Sequence, residues 1–148
     1  METEEAIRSI GESFDGIAIG VRRSVRTAAA ELGADLQPAA WSVFREVVRT
    51  RRVQANGIVG VLGMDKSAVS RHLKELRERG LVDAERDELD ARAVWISPTP
   101  VALERFAHIV QLQQRRLGAV LADWPAEDVE RFAQLLERFS RAVSSPIS

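Results

Sequence analysis

The chain contains no cysteine among its 148 residues. Disulfide bonds, thiolate metal sites and a cysteine redox switch are therefore excluded. No apolar run approaches the roughly 18 residues that are needed to span a membrane. The first five residues include three glutamates, in place of the basic start and apolar middle of a signal peptide. We therefore expect a cytoplasmic protein.

A net basic charge is also missing. The formal net charge is −1, whereas a nucleic-acid-binding domain is usually basic. The charges are distributed unevenly, because the segment from Trp41 to Gly80 holds nine basic and four acidic residues, a local net charge of +5. This distribution suits a phosphate-facing side on a neutral-to-acidic protein. A set of solvated helix faces is the alternative interpretation.

Groups for catalysis or metal binding are scarce. No nucleophile–base pair, glycine-rich phosphate loop or paired-carboxylate site stands out, so we do not expect an enzyme or a cofactor. Glu104 and His108 are four residues apart and could place two ligands on one helix face. A third nearby donor is missing, so we expect no metal site and a surface or interface histidine. Hydrophobic and charged contents of 45% and 29% indicate an ordinary globular protein.

The apolar periodicity predicts a mainly α-helical chain with one small β-hairpin, which forms a single domain over residues 1–148. Asp65 is a good N-cap for the fourth helix, and Gly80 is expected to end that helix. The predicted helices cover about residues 3–32, 38–48, 54–62, 66–79, 101–122 and 125–144, and the predicted strands cover about residues 82–86 and 93–96.

The most informative stretch is residues 62–82. A glycine-containing turn leads into an amphipathic helix whose apolar residues, Val69, Leu73 and Leu76, fall on one face. The order helix, tight turn, helix, hairpin predicts a winged helix-turn-helix over about residues 36–97. An ordinary surface helix is the alternative. The opposite face carries side chains that can donate hydrogen bonds to DNA bases or phosphates, namely Lys66, Ser67, Ser70, Arg71 and Lys74.

These residues resemble the MarR family of bacterial transcription regulators, and the resemblance covers nearly the whole chain. A departure follows the hairpin, where the family often has Leu-Thr-x-x-Gly and this chain has Ile96-Ser97-Pro98-Thr99-Pro100. The matching segments are Leu62-Gly63-Met64, Ser67-Ala68-Val69-Ser70-Arg71, Leu76, Arg79-Gly80-Leu81-Val82, Asp90-Ala91-Arg92-Ala93 and Pro125-Ala126-Glu127-Asp128.

The resemblance implies that the helix from Lys66 to Arg79 lies in the major groove of DNA, where base edges distinguish all four pairs. Ser67 and Ser70 would then face the bases. Arg71 could bind guanine in a bidentate manner, while Lys66 and Lys74 would meet phosphates.

The resemblance also places Arg92, in the turn of the hairpin, in the minor groove. Asp90 would hold the Arg92 guanidinium by a charge-assisted hydrogen bond. The alternative is that Asp90 and Arg92 only stabilise the hairpin turn. Arg51, Arg52 and Gln54, before the third helix, are candidate backbone contacts, and a structural surface role fits them equally well.

The terminal helices, about residues 3–32 and 101–144, have more apolar surface than a compact winged domain could cover. The resemblance implies that they form a homodimer, so the operator should be pseudo-palindromic with half-sites about 10 base pairs apart. The alternative is that these stripes serve only an intramolecular core. The predicted function is a homodimeric transcription repressor; a winged-helix module that binds a protein in place of DNA is the alternative.

Family members often release DNA when a small aromatic or phenolic acid binds between the dimer lobe and the winged lobe, which is a shift between two populations. Trp41 could form a stacking wall of such a site in this chain. A tryptophan buried in the core is the alternative, and no motif fixes further ligand residues.

Overall fold

Six helices and one antiparallel hairpin account for the regular structure of residues 2–144, the part of the chain that the computed structural model describes. The ends of the predicted 1–148 domain, residue 1 and residues 145–148, lie outside the described residues. The predicted mainly helical fold with a small β-hairpin is confirmed. The elements are α1 (Thr3–Leu32), α2 (Pro38–Thr50), α3 (Ala55–Leu62), α4 (Lys66–Glu78), β1 (Val82–Arg86), β2 (Val94–Pro98), α5 (Pro100–Val120) and α6 (Ala126–Ser144).

The chain divides into two compact units between Gln111 and Leu112. The first unit holds α1 to α4, the hairpin and the first half of α5. The second holds the end of α5 and α6, where Trp124 and Phe132 contact each other with ring centroids 5.6 Å apart. Whether the chain acts as the single domain expected from its length stays a prediction.

The core of the first unit is built around α2. Apolar residues at three- and four-residue spacing put Trp41, Phe44 and Val47 on one face of this helix, and each is at most 2% exposed. Burial of a large apolar side chain contributes roughly 1.5–3 kcal/mol, so this face is a main source of stability. Around it pack buried residues from the other elements: Ala28, Ala29, Leu32, Ile58, Val69, Leu73, Leu76, Leu81, Val82, Ile96, Ala102 and Ile109.

Polar side chains and glycines set the helix boundaries. The Asp65 carboxylate accepts a hydrogen bond from the Ala68 N–H at 2.8 Å, which confirms the predicted N-cap of α4. Gly63 and Gly80 have φ values of 63° and 69°, in the left-handed region that glycine adopts without a steric penalty. Both turns that flank α4 therefore depend on glycine.

The hairpin pairs Val82 with Pro98 and Arg86 with Val94. The first strand is as predicted, but β2 runs from Val94 to Pro98 and so ends two residues beyond the prediction. Proline is tolerated at this end because Pro98 is the terminal residue of its strand. Val53 and Ile96 exchange a pair of backbone hydrogen bonds, with N···O distances of 3.0 and 2.8 Å. These bonds join the hairpin to the segment before α3.

The start of α5 lies where the sequence departs from the family pattern. The Thr99 hydroxyl accepts a hydrogen bond from the Ala102 N–H at 3.2 Å and donates one to the Gly80 carbonyl at 2.8 Å. Thr99 thus caps α5 and joins its start to the residues that follow α4. The helix begins at Pro100 and ends at Val120, close to the predicted limits.

Candidate nucleic-acid interface

The outer face of α4 presents hydrogen-bond donors to solvent. Ser67, Ser70, Arg71 and Lys74 are all exposed, as the sequence predicts. Ser67 Oγ lies 2.7 Å from the Asp65 carboxylate that caps the helix. Together with the Ala68 N–H bond, this contact holds the pKa of Asp65 below its ordinary value. The first turn of α4 is therefore fixed. Further along, Ser70 and Arg71 are exposed, and Lys74 Nζ lies 3.9 Å from Glu78 Oε1 on the solvent side.

The inner face of α4 is fixed by apolar packing. Val69 and Leu76 are fully buried and Leu73 is nearly so. His72 lies among them with 6% exposure, and its Nδ1 has no hydrogen-bond partner in the described structure. The nearest carboxylate oxygen, Oε2 of Glu75, is 4.0 Å away. His72 is therefore a packing residue of the first unit.

The C-terminal end of α4 is tied to the loop between α1 and α2. Arg79 Nη2 lies 3.1 Å from Asp35 and 3.2 Å from Glu75. Hydrogen bonding to Arg79 lowers the pKa of Asp35, and the same bond raises the pKa of Arg79. Gly33 lies directly beneath this contact, because a Cβ at Gly33 would be 2.9 Å from Arg79 Nη1. The helix is thus held at both ends.

We refer to the hairpin as the wing and to residues 87–93 as the wing turn. Asp87 shapes this turn: its N–H donates to the Ala93 carbonyl at 2.9 Å, and its carboxylate accepts from the N–H groups of Leu89 and Asp90 at 2.8 and 3.3 Å. Such local bonds from an aspartate fix a turn without help from other elements. The exposed side chain of Arg92 is carried at the end of this turn.

The predicted contact between Asp90 and Arg92 needs correction. Asp90 Oδ1 accepts from the backbone N–H of Arg92 at 3.0 Å and not from its guanidinium. Because Asp90 and Arg92 are only two positions apart in the sequence, the backbone N–H of Arg92 is the nearer donor. Asp90 therefore stabilises the backbone of the turn, which is the role that the alternative interpretation gave it.

The residues before α3 contact strand β2 of the wing. The Arg52 guanidinium carbon lies 4.4 Å from the ring centroid of Trp95, in cation–π geometry. Gln54 occupies the N-cap position of α3 without a side-chain capping bond. Arg49 is bound within its own helix, where Nε donates to the Glu46 carboxylate at 2.9 Å and lowers the pKa of Glu46. Arg52 and Gln54 thus lie beside the wing.

Trp41 is excluded as a wall of an open ligand site. Its side chain is 2% exposed and stacks on Phe106 with ring centroids 5.6 Å apart, and Phe44 lies 6.0 Å away. The periodicity of α2 already placed Trp41 inward, and this alternative is confirmed. The structure therefore places Trp41 in the core, packed against Phe106 and Phe44, and not on an open crevice.

Two features of this region escaped the sequence analysis. Arg77 is exposed and lines a groove between α4 and the wing together with Ser70 and Lys74. Its spacing of three and seven residues from Lys74 and Ser70 is a helical signal that could have found it. The contact of Trp95 with Asp87 depends on the strand register, which the sequence does not reveal.

Two kinds of structure are absent from residues 2–144. No cluster of three or more histidine, aspartate or glutamate side chains is placed to hold a metal ion. None of the helices within this range combines the length and the apolar character needed to cross a bilayer.

Residues 34–93 match the sequence profile described as the MarR family. No curated protein matches the chain in sequence. The profile covers α2 to α4 and most of the wing, which are the elements described above.

Solved structures with the same fold cover almost the entire chain. A MarR family protein from Bacillus stearothermophilus has a TM-score of 0.84 at 15% identity and covers 98% of this chain and 100% of its own. A mutant MarR from E. coli complexed with operator DNA has a TM-score of 0.62 at 19% identity, with coverages of 94% and 99%. The transcriptional regulator BldR from Sulfolobus solfataricus gives 0.64 at 18%, with 93% and 99%. These likenesses establish the fold.

Proposed function

We propose that this chain, whose residues 34–93 match the MarR family, is a DNA-binding transcription regulator that acts without catalysis. The observation that carries the proposal is the outer face of α4, where exposed Ser67, Ser70, Arg71 and Lys74 project from a helix held at both ends. A rigid helix with donors on one side suits the major groove. A DNA-binding role also implies a cytoplasmic location.

Different residues of α4 would contact the bases and the phosphates of DNA. Arg71 carries a planar guanidinium that can bind the O6 and N7 atoms of guanine at once. Lys66 and Lys74, at the ends of the face, would contact phosphates, which fix the position of the helix without reading sequence. Ser67 and Ser70 are short enough to let the helix approach the base edges.

The wing would supply a second contact. Arg92 is exposed on a turn that Asp90 and Asp87 fix, and an arginine inserted in a narrow A·T-rich minor groove meets a concentrated negative potential. Asp90 contributes by shaping the turn. Arg52, which stacks on Trp95 of the wing, and Gln54, at the start of α3, would contact the DNA backbone between the two grooves.

We propose that the protein binds DNA as a homodimer. On α1, Ile7, Ile10, Ile17 and Val21 follow a helical stripe and are between 54% and 64% exposed. Five apolar residues of α6 are also between 41% and 63% exposed, namely Phe132, Leu135, Leu136, Phe139 and Val143. Exposed apolar patches of this extent mark interaction sites, and a two-fold dimer would present two copies of α4 to a pseudo-palindromic operator.

The dimer can be tested with two matched variants of α1. Ile17 and Ile19 are 54% and 53% exposed on the same helix, but only Ile17 lies on the stripe. We expect Ile17→Asp to dissociate the dimer in sedimentation equilibrium and Ile19→Asp to leave it intact. Equal behaviour of the two variants would contradict this role of the stripe.

We further propose that the regulator is a repressor and that a small aromatic or phenolic acid weakens its complex with DNA. One protein of similar structure is the Multiple Antibiotic Resistance Repressor, MarR, which supports repression as the starting hypothesis. Titration of benzoate and phenol into the DNA complex, followed by fluorescence anisotropy, tests the effector. A promoter-reporter assay with and without the protein tests the sign of regulation.

The central experiment measures DNA binding as a function of salt. Purified protein is titrated onto the intergenic DNA beside its gene, after a search of that DNA for inverted repeats. A DNA reader loses affinity steeply as the salt concentration rises, and protection mapping should show two half-sites about 10 base pairs apart. Absence of binding at low salt would refute the proposal and favour a winged-helix module that binds a protein.

A further inference from the structure

A chain of side-chain contacts runs across the wing from the body of the first unit. Arg52 lies over the Trp95 ring at 4.4 Å, and Trp95 Nε1 donates a hydrogen bond to Asp87 Oδ2 at 2.7 Å. The Val53–Ile96 backbone bridge is one residue away from both Arg52 and Trp95. The side-chain contacts therefore extend a backbone attachment that already exists.

The Asp87 carboxylate belongs to two networks at once. Its Oδ2 atom accepts from Trp95, while its Oδ1 atom accepts from the N–H groups of Leu89 and Asp90. The bond from Trp95 is the main reason why the pKa of Asp87 lies below its ordinary value, and the charge of Arg52 acts in the same direction. A single carboxylate thus joins the strand β2 to the tip of the wing.

The hydrogen bonds that Asp87 Oδ1 accepts within the wing turn lead on to Arg92. The Asp90 N–H is held by Asp87, and Asp90 Oδ1 in turn accepts from the Arg92 N–H at 3.0 Å. A continuous path of contacts therefore leads from Arg52 through Trp95, Asp87 and Asp90 to the backbone of Arg92. A hairpin of two five-residue strands has little rigidity of its own, so such a path determines where its tip lies.

We propose that Asp87 and Trp95, with Arg52 stacked on the indole, form a brace that positions Arg92 for DNA binding. This inference rests on the proposed function and names positioning residues for it. Asp87 and Trp95 need not touch DNA in this role. Their effect is to hold the backbone of the wing turn at a fixed place relative to α4.

Charge alone predicts the opposite effect for Asp87. A carboxylate in the wing repels phosphates, so its replacement by a neutral amide should strengthen DNA binding unless its hydrogen bonds matter. Glu88 is the matched control because it is an exposed carboxylate in the same turn. Both Asp87→Asn and Glu88→Gln remove one negative charge. The asparagine keeps one side-chain oxygen, which can accept from the N–H groups of the turn. Its NH2 group replaces the second oxygen and cannot accept the hydrogen bond from the Trp95 indole N–H.

The experiment compares these variants on the operator DNA. We expect Glu88→Gln to bind as tightly as the unaltered protein or slightly more tightly, and Asp87→Asn to bind about fivefold more weakly or worse. In an Arg92→Ala background the two variants should bind equally, because no arginine remains to be positioned. Equal affinities of Asp87→Asn and Glu88→Gln with Arg92 present would overturn the inference. It would also be overturned if Asp87→Asn weakened DNA binding by the same factor in the Arg92→Ala background.

Two further measurements keep the outcome decisive. Trp95→Phe retains a ring beneath Arg52 but lacks the N–H, so it should lose affinity in the same Arg92-dependent way even if Asp87→Asn fails to fold. In ¹H–¹⁵N NMR spectra without DNA, Asp87→Asn should shift the Trp95 indole resonance and Glu88→Gln should not. An unshifted resonance would contradict the brace.

These arms separate the two hypotheses. If the unaltered protein binds no DNA, the proposed function fails, and the positioning role fails with it. If the protein binds DNA and Asp87→Asn behaves like Glu88→Gln, only the brace is refuted.

Discussion

Arg79, at the end of α4, forms an ion pair with Asp35 in the loop between α1 and α2, with Nη2 and Oδ2 3.1 Å apart. The two residues are 44 positions apart in sequence. The pair therefore connects the helix that would read DNA to the helix that carries the exposed apolar stripe. Gly33 lies next to this ion pair, and because it has no side chain it leaves space for the Arg79 guanidinium.

We predict that Gly33→Ala displaces Arg79 from Asp35. The backbone of Gly33 is extended, so alanine adopts it without strain, but its Cβ would be 2.9 Å from Arg79 Nη1 and 3.0 Å from Leu36 Cδ1. We expect a loss of about 1 kcal/mol in the free energy of unfolding by urea. In an Arg79→Ala background the loss should be smaller, because one of the two clashes is gone. An equal loss in both backgrounds would argue against this geometry.

We predict that Asp65→Ala lowers stability in a pH-dependent manner. The folded-state pKa of Asp65 lies below its ordinary value of 3.8 because the carboxylate accepts from Ala68 and Ser67. Its contribution is therefore present above pH 3.8 and is lost as the pH falls through the lowered value. Urea midpoints of the variant and the unaltered protein should differ at pH 6 and converge at lower pH. Asp83→Ala, at an exposed position of β1, should change the midpoint little.

We predict opposite outcomes for two leucine truncations. Leu76 on the inner face of α4 is fully buried, whereas Leu89 at the tip of the wing is 99% exposed. Leu76→Ala should cost about 2–5 kcal/mol because it leaves a cavity in the core. Leu89→Ala should stay within about 0.5 kcal/mol of the unaltered protein. Urea unfolding at a single fixed protein concentration makes the comparison.

We predict different DNA-binding defects for Arg71 and Lys74. Arg71→Ala should reduce the preference for the operator over altered sequences by about 1–3 kcal/mol, since it removes a base contact. Lys74→Ala should weaken binding to all sequences alike and reduce the salt dependence by about one unit of slope. Competition binding at several salt concentrations separates these patterns. A uniform loss for Arg71→Ala would place this residue on the phosphates.

Local signals in the sequence predicted much of the fold. The stripe of α1, the Asp65 cap and the position of Gly80 gave the limits of α1 and α4 within one residue, because each depends on neighbours in the chain. The same periodicity predicted which residues of α2 are buried. It could not decide alone whether Trp41 was covered on its outer side, because Phe106, which covers it, comes from α5.

The wing was harder to predict in detail. The end of β2 and the approach of Trp95 to Asp87 depend on strand register, and register is set by pairing between segments. The contact of Asp90 depended on which of two nearby donors in Arg92 its carboxylate would meet. The exposure of the predicted α4 residues followed from the helical period, while the ion pair of Arg79 with Asp35 required the tertiary fold.

The hydrogen bonds of Thr99 have a consequence for how the wing can vary. Its hydroxyl and N–H bind the carbonyls of Gly80 and Leu81, at 2.8 and 3.1 Å, so the chain is closed where it enters and leaves the hairpin. Residues added at the tip would lengthen a loop whose ends are already joined, and the entropy cost of such lengthening grows only slowly. The wing turn can thus gain residues, and the wing can extend further from the first unit, while α4 keeps its place.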